Sequence, residues 1–315
     1  MNQPYSTHSF KPLSFHGEGG RYFGIWAVNV ILTILTMGLY YPWAKAAIRK
    51  FMWNATEMEG DRFVFHGTGK EMFRGFVIAY LIIISMLIMV NLIDTPFVGL
   101  IFLVAMTALV PFAIFGGWRY RMSRTSWRGI FFSFRGDLGE FMKIYFKGLF
   151  LTIITLGIYG AWMQVSIMRY LFDHTKLGNY EFEFTGSGGE LFGINIMAML
   201  LFIPTLGIYT FWYMANRFNF VFKNTVIHHT EGSHYLVSKL KGEDIFVVEL
   251  VNMLLLAFTL GLAFPWVLMR TLKVHINSVA IPPEVDLSCL EQDADDFRDA
   301  TGDDMMDILD VGLEF

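Results

Sequence analysis

Five polar side chains, Asn29, Lys147, Asn195, Glu249 and Asn252, lie inside stretches that are otherwise apolar. Their spacing is ordered. Four short phrases end those stretches: "TMGLY" from Thr36, "TLGIY" from Thr155 and again from Thr205, and "TLGLA" from Thr259. Seven residues before each phrase's Thr lie Asn29, Gly148, Ala198 and Asn252, and ten before lie Trp26, Tyr145, Asn195 and Glu249. Lys147 adjoins the first row, while Glu249 and Asn252, three apart, share a helical face. An ionisable group in hydrocarbon is costly and normally faces a partner or water. Lys147 and Glu249 are therefore read as an ion pair related by the repeat and lining a polar path for a small solute or ion. The plainer reading lets both snorkel to headgroups, with the Asn side chains joining helices.

The segment "HHTEGSH" gathers His228, His229, Glu231 and His234, side chains of the metal-ligating type. Its spacing matches no closed structural site, so it reads as a solvated loop, and no metal or other cofactor is expected. Glycine-rich elements such as "FTGSGGELF" lack the Lys-Ser/Thr ending and βαβ setting of a phosphate cradle. Their glycines are read instead as strand-to-helix turns. No spaced Ser/His/Asp set, CxxC, HExxH or P-loop occurs, and an enzymatic role is not indicated.

Placing these residues requires elements, and composition says which. Of 315 residues 54% are hydrophobic and 17% charged, with a mean hydropathy of +0.46, against about 25% charged in soluble domains. Apolar runs cover 22–42, 74–93, 97–117, 143–163, 190–212 and 245–268, each near the roughly 20 residues that a hydrocarbon slab demands. The chain reads as a polytopic membrane protein. Its polar first twenty residues do not resemble a cleaved signal peptide, and the single cysteine, Cys289, excludes an intrachain disulfide. Three regions follow: an N-terminal segment 1–20, a membrane domain 21–281 and an acidic tail 282–315. The tail holds twelve acids and one base, a charge of −11, so the total of −4 leaves +7 for residues 1–281. Its last part, "MMDILDVGLEF", is a candidate amphipathic segment for docking on that basic surface.

The membrane domain repeats itself. Gly-rich elements begin at Phe15, Phe65, Phe134 and Phe184, and Trp43 to Thr56, Trp162 to Thr175 and Trp212 to Thr225 share one spacing. A degenerate copy runs from Phe112 through Thr125 to Gly136. Four or five copies of one unit are present. Each reads as an apolar helix, a break, a second helix carrying basic residues, and an alternating strand such as "RFVFHG". The expected fold is an all-α polytopic bundle of repeated broken or re-entrant transmembrane helices with short cytoplasmic β-strands. Gly-x-Gly-x-Glu-Leu-Phe, Thr-Leu-Gly-Ile-Tyr-x-x-Trp and Phe-x-Phe-x-Gly over residues 13–280 together resemble the YjgN family of bacterial inner-membrane proteins. That resemblance implies an inner-membrane location and a repeat plan; it supplies no catalytic residues.

Two topologies satisfy this plan. Single crossings would put successive basic segments on opposite sides, whereas bending at each break would return them all to the cytoplasm, where positive loops belong. Hairpins are preferred because strands from several units could then pair; the connection "LIDTPF" around Asp94 should lie outside. Arg49, Lys50, Arg119, Arg121, Arg124, Arg128, Arg169 and Arg217 become candidates for contact with anionic lipid headgroups rather than nucleic acid. Two functions are thereby opened: transport or permeation through a polar path in the bundle, and a non-catalytic scaffold or lipid-interacting regulator using the basic face and acidic tail.

Overall fold

The computed structural model describes residues 10–92, 96–229 and 232–292. Asp94, Glu231 and the segment "MMDILDVGLEF" lie outside the described residues. Five units of one plan follow one another. Unit one is strand β1 (Lys11–Phe15), leading helix α1 (Gly19–Leu35), returning helix α2 (Tyr41–Ala55) and strand β2 (Thr56–Met58). Unit two is β3 (Asp61–Phe65), α3 (Gly69–Leu92), α4 (Pro96–Ser123) and β4 (Thr125–Trp127). Unit three is β5 (Ile130–Phe134), α5 (Leu138–Ile154), α6 (Gly160–Asp173) and β6 (Thr175–Leu177). Unit four is β7 (Tyr180–Phe184), α7 (Gly188–Phe202), α8 (Thr210–Lys223) and β8 (Thr225–His229). Unit five enters through β9 (Gly232–Tyr235) and β10 (Val237–Ser238), then runs α9 (Gly242–Phe258), α10 (Phe264–Asn277) and β11 (Val279–Ile281).

The recurring phrase is a helix stop that doubles as a helix start. Thr36, Thr155, Thr205 and Thr259 donate their hydroxyls back to Leu32, Leu151, Leu201 and Leu255, four residues earlier. The same oxygens accept the amide N–H four residues on, from Tyr40, Tyr159, Tyr209 and Ala263, at 2.9–3.1 Å. The next two residues turn the chain with positive φ: Met37, Leu156, Leu206 and Leu260 at 49–51°, then glycine at 84–95°. Glycine takes this conformation freely, whereas a side chain does so at a cost of about 1–2 kcal/mol. The hydrogen bonds from Gly38 to Thr33 and from Met37 to Ile34 close the helix in the manner of a Schellman cap.

All five hairpins return to one sheet. Its eleven strands run β10-β11-β1-β2-β3-β4-β5-β6-β7-β8-β9, antiparallel throughout. Within each unit the entering strand pairs with the returning one, as Leu13 with Met58 and Phe132 with Leu177. Between units two-residue turns such as Glu59-Gly60 join neighbours, whereas units five and one meet by strand pairing alone, Lys11 opposite Ile281. The two ends of the strand order, β9 and β10, are separated only by Leu236, whose N–H donates to Thr225 at 2.9 Å. The sheet is thus a closed ring, which removes its edges. The all-α expectation is corrected here: the short strands form one continuous layer, because each has a partner only in that layer.

The helices form a second ring above it. Each leading helix packs between two returning ones, α1 between α10 and α2, α5 between α4 and α6, α7 between α6 and α8, and α9 between α8 and α10. Returning helices also meet one another: Trp118 of α4 lies 5.5 Å from Phe172 of α6, Arg217 of α8 donates to Gln164 of α6, and Phe218 of α8 meets His275 of α10 at 5.1 Å. Returning helices therefore line the inside and leading helices the outside. The outer helices present apolar side chains outward, including Ile31, Ile34 and Leu35 on α1 and Phe150, Ile153 and Ile154 on α5.

Two helices, α3 and α4 with 24 and 28 residues, are long and apolar enough to cross a membrane. The other leading helices have 15–17 residues and the other returning helices 14–15, or roughly 21–26 Å. Four of the six apolar runs, 22–42, 143–163, 190–212 and 245–268, are consequently not single crossings; each bends at its break.

The glycines between strand and helix have a second use. A Cβ on Gly188 would come 2.3 Å from Trp162 Cδ1, and Gly69, Gly242 and Gly19 are in the same position against Trp43, Trp212 and Trp266. Four of the five leading helices thus start against the tryptophan of the preceding unit. Unit two has Phe112 in that register, and unit three begins with Leu138 where the others have glycine. At the centre of the sheet, Met58, Trp127, Leu177, Ile227 and Ile281, the third residues of the five returning strands, converge with Val285, Leu287 and Leu290. Residues 282–292 thus fill the axis of the ring instead of belonging to a separate tail. Lys11 Nζ donates to the Val285 carbonyl at 2.8 Å, the Phe131 N–H to Gln292 Oε1 at 2.7 Å and the Asn179 N–H to the Glu291 carbonyl at 3.1 Å.

Candidate functional site

The ordered polar rows sit where leading and returning helices touch. Asn29 Nδ2 donates to the Ala44 carbonyl across the α1–α2 hairpin at 3.4 Å. In the α9–α10 hairpin Thr271 Oγ1 donates to Glu249 Oε1 at 2.7 Å and accepts from Asn252 Nδ2 at 3.0 Å. Asn252 Oδ1 is buried without a partner. Asn195 Oδ1 accepts from the Tyr213 hydroxyl at 3.2 Å, and that hydroxyl accepts from Arg217, which also donates to Gln164 at 3.2 Å. The expected Lys147–Glu249 ion pair does not form: Glu249 is bound within its own hairpin, and α5 and α9 flank different returning helices. Thr271, Tyr213 and Gln164 were missed in the sequence because they lie on returning helices, outside the apolar runs that drew attention to the rows.

Lys147 lies instead on a cleft of about 310 Å³ between α5 and α6, with Gly148, Ile144, Ser166, Arg169 and Asp173. Gly148 allows the helices to approach closely, since a Cβ there would meet Met163 Cγ at 2.6 Å. Gly148 facing Met163 and Phe141 facing Tyr170 set the register of this hairpin. Lys147 is therefore level with Gln164, two residues from the level of Ser166 and five, about 7.5 Å along the axis, from that of Arg169. The cleft continues from Asp173 at the sheet end to Tyr159 at the tip end, fourteen residues or about 21 Å along the axis. Arg169 also braces the next unit, donating to the Phe184 and Gly186 carbonyls at 3.2 and 2.9 Å. Asp173 accepts the Phe184 N–H at 2.9 Å.

The model of a family described as bacterial proteins of unknown function, DUF898, matches residues 10–145, 130–185, 179–231 and 213–308. The chain belongs to the DUF898 family. It is 36% identical over 128 residues to inner membrane protein YjgN of Escherichia coli O157:H7, covering 41% of this chain and 31% of that protein. With YjgN of Escherichia coli K12 the identity is 34% over 151 residues, 48% of this chain and 37% of the relative. With YjgN of Salmonella typhimurium LT2 it is 31% over 123 residues, 39% and 31%. Each match spans about a third of the relative's length. No solved structure matches. Like these relatives, the DUF898 chain is a bacterial inner-membrane protein, and its span-length α3 and α4 agree with that location.

The candidate headgroup cations of this DUF898 ring divide by position. Arg128 is not at the helices at all: it sits in the β4–β5 turn, 2.5 Å from Asp61 and 4.2 Å over Trp127, and reaches the Leu287 carbonyl. Arg124 pairs with Glu71 at 3.3 Å, Arg121 lies over Trp118, and Arg49 over Phe65. Lys50 is exposed near the α2 terminus, and Arg119 lies in the last turns of α4. The histidine segment is a strand hairpin, not a loop. His228 binds Glu183 and Ser233 at 2.6 and 2.7 Å, while its strand neighbour His229 stacks on Tyr180 at 4.4 Å. Successive strand residues point to opposite faces, so these two imidazoles cannot meet on one ion. His234 pairs in register with Ile227. Among the described residues no group of three ligand side chains converges.

Proposed function

We propose that this protein is a non-catalytic ring set into the cytoplasmic leaflet of the inner membrane, where it engages anionic lipid. The observation that carries this reading is the character of the hairpin tips. Met37, Leu156, Leu206 and Leu260 are 86–94% exposed at the far end of the short hairpins, a placement that suits hydrocarbon and not water. The four short hairpins then dip into the bilayer from one side, and the longer α3–α4 hairpin reaches across. Basic returning helices at the sheet end favour the cytoplasmic side for the sheet. Hydrogen bonding of Asn29, Asn195, Glu249 and Asn252 within hairpins, and the apolar filling of the sheet axis, weigh against an open path.

Single-cysteine labelling in a Cys289→Ser background tests the insertion. Lys176→Cys should react with an impermeant maleimide from the cytoplasmic side alone, and Leu206→Cys from neither side. Labelling of Leu206→Cys from the periplasm overturns the reading. Native mass spectrometry from mixed bilayers should show phosphatidylglycerol retained over phosphatidylethanolamine; equal retention removes the lipid preference. A second reading, permeation of a small solute, draws on the Tyr213–Arg217–Gln164 chain that bridges inner helices. Solute flux from proteoliposomes that is abolished by Arg217→Leu would favour it.

A further inference from the structure

The repeats act as internal controls, and unit three departs from them in one place. Eight residues before the break Thr the other aligned units carry Val28, Met197 and Val251, where unit three carries Lys147. Seven before, Asn29 and Asn252 fill the hairpin seam in units one and five and Ala198 stands in unit four, while Gly148 brings Met163 of the facing helix close. On the returning helix Ser166, whose hydroxyl donates to the Trp162 carbonyl at 2.9 Å, stands where units one, four and five carry Ala47, Asn216 and Arg270. A cation with no counterpart in the other aligned units and a small side chain on the facing helix thus coincide on the 310 Å³ cleft described above, a volume in the range of small-ligand sites.

We propose that the cleft between α5 and α6 is a site for an anionic amphiphile bearing a phosphate. Lys147 Nζ and Arg169 approach the phosphate from the two helices, with Ser166 lining the cleft between their levels. The two cations stand about 7.5 Å apart along the axis, a spacing that the long lysine side chain and one phosphate group bridge through charge-assisted bonds. The hydrocarbon runs toward the tip end, past Gly148 to Tyr159, where the flanking surface is apolar. Asp173 does not compete for the ligand's position, since its carboxylate is turned to the Phe184 N–H. A cleft between an outer and an inner helix, lined by charged and polar groups and flanked toward the tips by exposed Phe150, Ile153 and Ile154, receives such a molecule from the leaflet. The site rests on the lipid-engaging reading and gives it a chemical address.

The test is calorimetric titration of the full-length protein in neutral maltoside micelles. Dodecyl phosphate should bind the wild-type protein and bind Lys147→Met about tenfold more weakly. Lys70→Met, exposed at the start of α3 and outside the cleft, should match wild type. Met already occupies this register in unit four, so the variant is expected to fold; Ser166→Leu, which fills the cleft from α6, replaces it if it does not. Unchanged affinity in these variants overturns the site. Inorganic phosphate binding as tightly as dodecyl phosphate overturns the amphiphile. Phosphatidylglycerol retention by the whole ring is read separately, so loss of the cleft and loss of the broader reading are distinguishable.

Discussion

His66 shows how a single side chain ties neighbouring strands of the sheet together. Its Nε2 lies 2.8 Å from Ser126 Oγ and its ring 4.9 Å from Phe131. Burial first, then the positive charges of Lys50 and Arg124, hold its pKa below the ordinary imidazole value. The folded protein therefore binds this proton less readily than the unfolded chain. Its stability is greatest above the ordinary imidazole range and declines as pH falls through that range toward the lowered native value. Thermal unfolding in detergent should show a lower midpoint near about pH 5.5 than near about pH 7.5. His66→Gln should flatten the difference; an unchanged slope assigns the pH response elsewhere. At this scale the sequence was half legible. Register against the break phrases singled out Asn195, Glu249 and Asn252, but could not say that Tyr213 and Thr271 answer them, because a one-dimensional row carries no information on which helix lies opposite. The same gap produced the Lys147–Glu249 pairing, which placed two residues together by symmetry when symmetry keeps them apart.

At the scale of elements, the breaks were legible as helix ends because glycine and threonine announce them. That Leu156 and its equivalents also adopt positive φ was not, since leucine gives no sign of accepting it. The packing of Gly188 against Trp162 was likewise hidden: the glycine and tryptophan motifs were each visible, and only the hairpin geometry unites them. Gly188→Ala brings its Cβ within 2.8 Å of the Trp162 Cα as well as into the ring, so a side-chain rotation cannot relieve it. The substitution should destabilise the protein by about 1–3 kcal/mol, read as a lower denaturation midpoint in mixed micelles. Gly189→Ala has open space around it and should not lower the midpoint. Equal midpoints for the two variants would contradict the proposed contact. Leu138 beside a unit that lacks the tryptophan is the natural form of the same rule.

The whole molecule was least legible, because strands of two to five residues acquire meaning only from pairings far away in sequence. Alternating phenylalanines predicted strands; nothing local predicted that units five and one would join. Nor did the acidic composition after Pro282 reveal that Val285, Leu287 and Leu290 belong to the core. Leu287→Ala should cost about 2–5 kcal/mol, followed by the fluorescence of the fully buried Trp127 that it packs near. A change within a few tenths of a kcal/mol would mean that the segment is merely adherent. Closure of the sheet by Lys11 against Ile281 has a further bearing, on how such a gene can change. An open solenoid gains or sheds copies because each touches only its neighbours. A ring whose curvature is set by five members has no vacancy for a sixth and no tolerance for a fourth-and-gap. Duplication or deletion of one unit must therefore break the circle, and divergence is confined to altering members in place, as unit two has done with its long hairpin and unit three with its lysine.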